Sequence, residues 1–175
     1  IVTRCYKRPE MHDFNAHLVQ AETCQDLDQV FIIDDVGRGI GWANKQLAER
    51  AHEVDGRYVM VLDDDDVLTD CTLVEVLKEV VRDNNPELIM AKMDHGELGI
   101  LPDDDHWLKR PEHGRIGMSA WVASNELYRG AIQSIGPRRA GDVAFYQALY
   151  DRAASIYWLD RVISRVQRIS WGKPE

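Results

Sequence analysis

Residues 58–66, YVMVLDDDD, place four consecutive aspartates directly after an apolar run that predicts a β-strand. Carboxylates this close together repel one another and resist burial, so a cation is expected to offset them at a strand end. Hard divalent ions such as Mg²⁺ bind one or two carboxylates together with substrate phosphates. A solvated acidic turn is the alternative. The apolar strand favours a metal–phosphate site at the carboxyl edge of a sheet, where α/β folds bind ligands.

The composition is typical of one soluble globular domain, with 175 residues, 45% of them hydrophobic and 29% charged. A net charge of −9 argues against nucleic-acid binding, because neutralising phosphates requires a basic face. It leaves a nucleotide ligand open, since a bound divalent metal reverses the local charge. The sequence shows no secretory leader and no apolar run near the ~20 residues of a membrane span. We therefore expect a cytoplasmic protein, with peripheral membrane contact left open.

Apolar runs that alternate with helical patterns predict an α/β fold. The predicted segments are, in order, a strand at 1–5, a helix from Pro9 to about Cys24, a strand at 30–33, a helix at 42–51, a strand at 57–62, a helix from Leu73 that ends before Asn84, a strand at 88–93, a loop at 96–117, a strand at 118–123, helices at 124–135 and 141–153, and a strand or hairpin at 156–166. This order is typical of a mostly parallel sheet in a three-layer α/β/α sandwich.

Polar residues follow three successive predicted strands. They are residues 6–8, Tyr-Lys-Arg, then residues 34–35, Asp-Asp, and then the aspartates at 63–66. Because parallel strands bring their carboxyl ends to the same edge of a sheet, these segments are expected to meet in one cleft.

The same segments resemble family 2 glycosyltransferases, which have the GT-A fold. Residues 3–9, TRCYKRP, are similar to the family's T-x-Y-N-R-P, residues 31–35, FIIDD, to its VVDD, and residues 56–66, GRYVMVLDDDD, to its GEYIAFLDDDD. Later in the chain, residues 119–128 and 141–142 carry a looser resemblance. The resemblance implies one GT-A domain over residues 1–175, with a nucleotide-sugar and metal-binding half at 1–95 and an acceptor half at 96–175.

The resemblance also implies a nucleotide-diphosphate-sugar donor, with a UDP-sugar preferred. Thr3, Tyr6 and Arg8 would contact the nucleotide. One carboxylate of Asp34 and Asp35, by alignment Asp35, would bind the uracil or the ribose. A carboxylate suits this role because it accepts two hydrogen bonds.

For the diphosphate, the resemblance implies that Asp65 coordinates Mn²⁺ or Mg²⁺. Asp63 or Asp64 would face the ribose or the donor sugar, and Asp66 would be solvated or cap a helix. The metal would stabilise the departing nucleoside diphosphate as its negative charge grows.

The acceptor side is defined less well. Family 2 enzymes invert the anomeric centre and need a base, for which Asp142 is the candidate, although aspartate is also favoured at any helix start. Trp107 is the candidate to stack on a glycan or other hydroxyl-bearing acceptor, while Trp121 is expected in the core. The family's A-R-N-x-G corresponds here to residues 42–46, WANKQ, so its basic residue is displaced to Lys45 or lost.

Two other functions remain open. Residues 61–67 also fit the D-x-D-x-[TV] signature of haloacid-dehalogenase-like phosphatases, with Asp63 as nucleophile and Asp65 as general acid. That motif usually lies on the first strand, whereas two strand–helix units precede it here. A catalytically inactive nucleotide-sugar-binding domain is the second alternative, because the chain is short.

Overall fold

The computed structural model describes residues 1–7, 9–137 and 141–167 and confirms the predicted α/β class. The strands are β1 (Val2–Tyr6), β2 (Val30–Asp34), β3 (Tyr58–Val59), β4 (Asp66–Leu68), β5 (Leu88–Asp94), β6 (Ile100–Leu101), β7 (Trp121–Ser124) and β8 (Ile156–Val166). The α-helices are α1 (Pro9–Gln20), α2 (Ile40–Glu49), α3 (Leu73–Asn84), α4 (Asn125–Ala131) and α5 (Asp142–Arg152). Short 3₁₀ turns cover Ala51–Glu53, Gly96–Leu98 and Ile132–Ser134.

The strands form a mixed arrangement rather than a mostly parallel one. β1 pairs in parallel with β2, and just beyond β3 a parallel bridge joins Val2 to Val61. β7 lies antiparallel between β3 and β5, and β8 runs parallel to β5 and antiparallel to β4. Trp121, Val122 and Ala123 of β7 are all buried, which is typical of a strand with both faces covered. β7 is therefore an interior strand of the sheet, although it comes late in the chain.

The hydrophobic core lies on both faces of the sheet. Along β5, Met90 belongs to one cluster, while its neighbours Ile89 and Ala91 belong to the other, because successive side chains of a strand point to opposite faces. The first cluster includes helix residues Leu47, Tyr128, Phe145 and Leu149 together with the predicted core residue Trp121. The second includes helix residues Val19, Leu73 and Val80. The helices therefore form the outer layers of the predicted α/β/α arrangement.

The second half of the chain completes the sheet begun by the first. β7 and β8 both come from residues 96–175, yet they pair directly with β3, β4 and β5. Ser124 caps α4, since its hydroxyl accepts a hydrogen bond from the Leu127 amide at 3.3 Å. Within the described ranges, the structure contains no helix that is long and apolar enough to cross a bilayer.

Candidate functional site

The polar ends of the first three strands meet at one edge of the fold. The amide of Tyr6, at the end of β1, donates to Asp64 Oδ2 at 3.0 Å. The next amide, of Lys7, donates to the Asp34 carbonyl at the end of β2, also at 3.0 Å. The Asp64 amide in turn donates to the carbonyl of Arg4 at 3.1 Å. These contacts bring segments that are distant in sequence into one candidate site.

A buried arginine lies at the centre of this site. Arg4 is only 6% exposed, and its guanidinium forms a bidentate ion pair with Asp63, with Nε 2.5 Å from Oδ1 and Nη2 2.6 Å from Oδ2. Its Nη1 donates a short hydrogen bond to Asn44 Oδ1 and lies 3.7 Å from Asp142 Oδ1. Burial disfavours the charge, but the neighbouring Asp63 and Asp142 raise the pKa of Arg4, so the guanidinium stays protonated.

The predicted base, Asp142, is the first residue of α5 and lies beside this arginine. Its Oδ1 accepts a hydrogen bond from Asn44 Nδ2 at 3.4 Å. Burial raises the pKa of Asp142, Arg4 opposes this increase, and Asp63 adds to it. The side chain is 20% exposed. The structure therefore places a carboxylate of raised basicity next to the aspartate cluster.

The prediction for Asp66 is wrong, because this residue is neither solvated nor a helix cap. After a turn closed by the Asp66 amide and the Asp63 carbonyl at 2.9 Å, the chain re-enters the sheet as β4. The Asp66 carboxylate is buried and accepts a short hydrogen bond from Ser119 Oγ, and its carbonyl accepts one from Asn15 Nδ2 at 3.1 Å. Burial raises the pKa of Asp66 well above its ordinary value, and repulsion from Asp63 and Asp65 adds to the increase.

The two aspartates after β2 have different surroundings. Asp34 is buried, and its two carboxylate oxygens accept hydrogen bonds from the amides of Gly37 at 2.9 Å and Gly39 at 2.7 Å. These bonds shape the glycine-spaced loop that leads into α2. They leave Asp34 poorly placed to bind a nucleotide directly. Asp35 is exposed and is the better placed of the two.

The residues at the first strand that were predicted to contact the nucleotide also differ in exposure. Thr3 is fully buried, and its hydroxyl contacts Asn15 Oδ1 at 3.4 Å and Gln29 Nε2 at 2.8 Å. This position favours a supporting role over the predicted contact with the base, because the side chain has no exposed surface. Tyr6 is 38% exposed at the site's edge. Arg8 lies outside the described residues.

Asp64 and Asp65 complete the acidic run. Asp64 is buried, and its contact with the Tyr6 amide ties two strand ends together. Asp65 is half-buried in the turn between β3 and β4, where its carbonyl accepts a hydrogen bond from the Gln167 amide at 2.7 Å. Of the four aspartates, Asp65 and Asp63 retain appreciable exposure.

The chemistry of this cluster fits a hard divalent ion. Its donor atoms are carboxylate oxygens, the ligand type that such ions prefer, and Asp63 and Asp65 keep part of their surface exposed. Over residues 1–7, 9–137 and 141–167, no three His, Cys, Asp or Glu side chains are arranged as a metal site by themselves. An ion at Asp65 would accordingly take further oxygen ligands from a diphosphate or from water.

Two other residues considered in the sequence analysis, Trp107 and Lys45, already have partners. Trp107 packs edge-on against Trp158, with ring centroids 4.9 Å apart, and Lys92 Nζ lies 4.7 Å from the centre of its ring. That lysine covers part of the surface on which an acceptor sugar was predicted to stack. Lys45 is 68% exposed on α2 and pairs with Glu49 at 3.5 Å. Among the residues that the structure describes, Arg4 places a positive charge within the site.

Two residues of the site, Arg4 and Asn44, were not predicted from the sequence. A signal was present for Arg4: a charged side chain within the apolar strand of residues 1–5 must find a partner when that strand is buried. A signal was present for Asn44 as well, since among residues 42–46 it is the position that keeps the residue of the A-R-N-x-G pattern.

Comparison with known proteins shows which solved structures have a similar fold. No protein-family model and no curated protein matches the chain. Among solved structures, residues 1–349 of TarS from S. aureus superpose with a TM-score of 0.69 at 10% identity, covering 95% of this chain and 59% of that one. The TarS complex with UDP-GlcNAc gives a TM-score of 0.70 at 11% identity, covering 98% and 58% of the two chains. A protein from STIV matches with a TM-score of 0.53 at 14% identity and covers 99% and 96%.

These identities are informative about the fold alone. The chain spans less than two thirds of the TarS fragment that it matches, at 59% of its length. The superposition covers 95% of this chain, so the likeness extends over almost the whole fold described above. The chain therefore has the α/β fold of S. aureus TarS.

Proposed function

We propose that this chain is a metal-dependent, inverting glycosyltransferase that moves a sugar from a nucleotide-diphosphate donor to a hydroxyl of a glycan or other acceptor. The observation that carries the proposal is the contact network in which Arg4 joins Asp63, at the end of the third strand, to Asp142, at the start of α5. TarS, which has the same fold, has been crystallised with UDP-GlcNAc and with UDP. That likeness supports a UDP-sugar as the donor.

On the donor side, the exposed Tyr6 and Asp35 would contact the nucleoside. The half-buried Asp65 would hold Mn²⁺ or Mg²⁺, which when bound stabilises the negative charge of the leaving diphosphate. Asp63 is held by Arg4 at the same edge, where it would face the donor sugar.

In the proposed transfer step, Asp142 is the proton acceptor. The acceptor hydroxyl gives its proton to the Asp142 carboxylate while its oxygen forms a bond to the anomeric carbon of the donor. The bond between that carbon and the diphosphate oxygen breaks, and the nucleoside diphosphate leaves with the electron pair. Burial raises the pKa of Asp142, which makes the carboxylate a better proton acceptor.

The geometry supports glycosyl transfer over the phosphatase alternative. A haloacid-dehalogenase-like mechanism needs Asp63 as a nucleophile, yet both of its carboxylate oxygens are hydrogen-bonded to Arg4. A carboxylate held by a bidentate guanidinium is a weaker nucleophile, because each oxygen already accepts a charge-assisted hydrogen bond.

The test is calorimetric titration with UDP, UDP-GlcNAc and other nucleoside diphosphates, with and without Mn²⁺. We expect Mn²⁺-dependent binding of UDP that Asp65→Ala weakens at least about tenfold, since a metal ligand is lost. Asp104→Ala, at an exposed aspartate of the long loop, is the matched control and should bind normally.

Undiminished Mn²⁺–UDP affinity in Asp65→Ala would show that the metal assignment is wrong. If none of the tested nucleotides bound, the proposal as a whole would be overturned. UDP-sugar binding with no turnover, unchanged in Asp142→Asn, would instead favour an inactive binding domain.

A further inference from the structure

We infer that Asn44 and Arg4 are positioning residues that hold one carboxylate oxygen of Asp142, so that its other oxygen is presented to the acceptor hydroxyl. This inference rests on the proposed role of Asp142 as the base. It concerns side chains that come from three separate elements, namely β1, α2 and α5.

The side-chain contacts that the structure shows for Asp142 involve Oδ1, one of its two carboxylate oxygens. Asn44 Nδ2 donates to Asp142 Oδ1 at 3.4 Å, and Arg4 Nη1 lies 3.7 Å from the same oxygen. In the part of the chain that the structure describes, Oδ2 accepts no hydrogen bond, and the side chain is 20% exposed. The carboxylate therefore has one oxygen fixed by the protein and one available for chemistry.

Asn44 is well placed to fix that orientation. It is completely buried, and its amide group is oriented by two further contacts, since Oδ1 accepts from Arg4 Nη1 and Nδ2 donates to the Gly136 carbonyl at 2.9 Å. Three partners around one amide leave it a single productive orientation. The buried amide thus fixes the position of Asp142 relative to α2.

Close packing between α2 and the chain before α5 reinforces this link. A Cβ atom placed on Gly41 would lie 2.5 Å from the carbonyl oxygen of Pro137, which is closer than real Cβ atoms approach. The glycine therefore lets α2 lie directly against the segment that Asn44 also holds through Gly136.

Arg4 connects the same carboxylate to the donor side. Two of its nitrogens are committed to Asp63, and the third is directed towards Asn44 and Asp142. The rigid, planar guanidinium thus fixes the position of Asp142 relative to Asp63, the aspartate proposed to face the donor. A general base must lie within hydrogen-bond reach of its proton, and a displacement of about 1 Å can reduce the rate about 100-fold.

The experiment compares Asn44→Leu with the wild-type chain, using release of UDP from UDP-GlcNAc with water as the acceptor. Leucine has a similar volume but no hydrogen-bonding groups. We expect kcat to fall about 10- to 100-fold, while KM for UDP-GlcNAc stays within about twofold, because the donor contacts are retained. Gln46→Leu, on the same helix, is the matched control and should retain wild-type kcat.

A double mutant separates positioning from a general structural role. If Asn44 acts through Asp142, adding Asn44→Leu to Asp142→Asn should lower kcat no further. An unchanged kcat in Asn44→Leu, or additive losses in the double mutant, would overturn the inference. If Asn44→Leu does not fold, Asn44→Ser, whose hydroxyl is too short to reach Asp142, is judged by the same two criteria.

Failure of the proposed function gives a different result. In that case the wild-type chain would bind none of the tested nucleoside diphosphates and nucleotide-sugars, or the wild-type chain and Asp142→Asn would release UDP equally. Either result is independent of what Asn44→Leu does.

Discussion

Arg4 and Asp63 form a bidentate ion pair, with N–O distances of 2.5 and 2.6 Å, between the first strand and the acidic run that follows the third. The arginine is 6% exposed and the aspartate 24%. Two parallel contacts to a planar guanidinium are geometrically specific as well as strong. The pair therefore contributes both to the packing of adjacent strands and to the arrangement of the candidate site.

Replacing Arg4 should destabilise the fold. Arg4→Met leaves Asp63 without its guanidinium partner, and loss of one partner from a buried pair costs about 3–5 kcal/mol. Because Asp63 keeps some access to water, we expect the lower end, about 3 kcal/mol, from urea denaturation. Arg82→Met is the control, since the Arg82–Asp83 pair is exposed and should leave the midpoint almost unchanged. Equal losses in the two variants would contradict a structural role for Arg4.

Removing the proposed base should strongly reduce turnover and leave the affinity for UDP unchanged. In Asp142→Asn the amide oxygen cannot accept the acceptor's proton at neutral pH, and a general base typically contributes about 100-fold or more to the rate. We expect UDP release from UDP-GlcNAc to fall by at least that factor, measured with a coupled assay. Calorimetric affinity for UDP should remain at the wild-type value, and a matching loss of affinity would assign Asp142 to the donor site instead.

The pH dependence of turnover should reflect the surroundings of Asp142. Burial raises its pKa, Asp63 adds to the increase, Arg4 opposes it, and Tyr146 of α5 faces the same group. Because the base acts only when deprotonated, the rate should fall with decreasing pH through a pKa above the ordinary value of about 3.9. The measurement is kcat for UDP release from pH 4 upwards. A decline confined to pH values below the ordinary pKa would mean that Asp142 is not the base.

Asp34 should stabilise the protein in a pH-dependent way. Burial alone would raise its pKa, but hydrogen bonds from the amides of Arg38, Gly39 and Gly37 together lower it below 3.8. A lowered folded-state pKa gives stability that is present above the unfolded-state pKa and is lost as pH falls through the folded-state value. Asp34→Asn should therefore cost about 1–3 kcal/mol at pH 7 and progressively less below pH 4.

Chemical denaturation of Asp34→Asn across that pH range provides the measurement. Asp35→Asn, at the exposed neighbouring aspartate, is the control and should show little difference from the wild-type chain at either pH. A pH-independent loss in Asp34→Asn would mean that the amide hydrogen bonds do not depend on the charge.

Gly41 should tolerate no side chain. A Cβ atom there would meet the Pro137 carbonyl at 2.5 Å, so Gly41→Ala must push α2 away from the segment before α5, at a cost of about 1–3 kcal/mol. Gly130→Ala in α4 is the control, because its Cβ atom would lie 3.6 Å from the nearest atom and alanine favours a helix by about 1 kcal/mol. Thermal unfolding should shift down for the first variant and not for the second. Equal shifts would show that the close contact is unimportant.

Much of the architecture could be predicted from local pattern. The strands at β1, β2 and β5 and the helices α3 and α5 lie close to their predicted bounds, because hydrophobic periodicity and helix-start residues act over a few neighbouring positions. The convergence of the polar strand ends was also predictable, since it follows from parallel pairing of β1 with its neighbours. The insertion of β7 between β3 and β5 was not, because pairing between remote strands leaves no local signal.

Within the site, the division of roles among similar residues required the structure. Asp34 and Asp66 are identical in type to Asp35 and Asp65, but the first two are buried and hydrogen-bonded while the second two retain exposure. Exposure depends on how the chain turns after each strand and on which distant residue, such as Ser119, meets the carboxylate.

The sequence by itself determined that apolar strands end in polar residues, because side-chain alternation and charge are properties of neighbouring positions. It also predicted that these ends share one edge, because parallel strands bring their carboxyl ends together. Only the tertiary structure decided that Arg4 pairs with Asp63 and approaches Asp142, and that Asn44 orients that second carboxylate. A buried charge must find partners, but the partners come from whichever remote elements the packing of the core brings within hydrogen-bond distance.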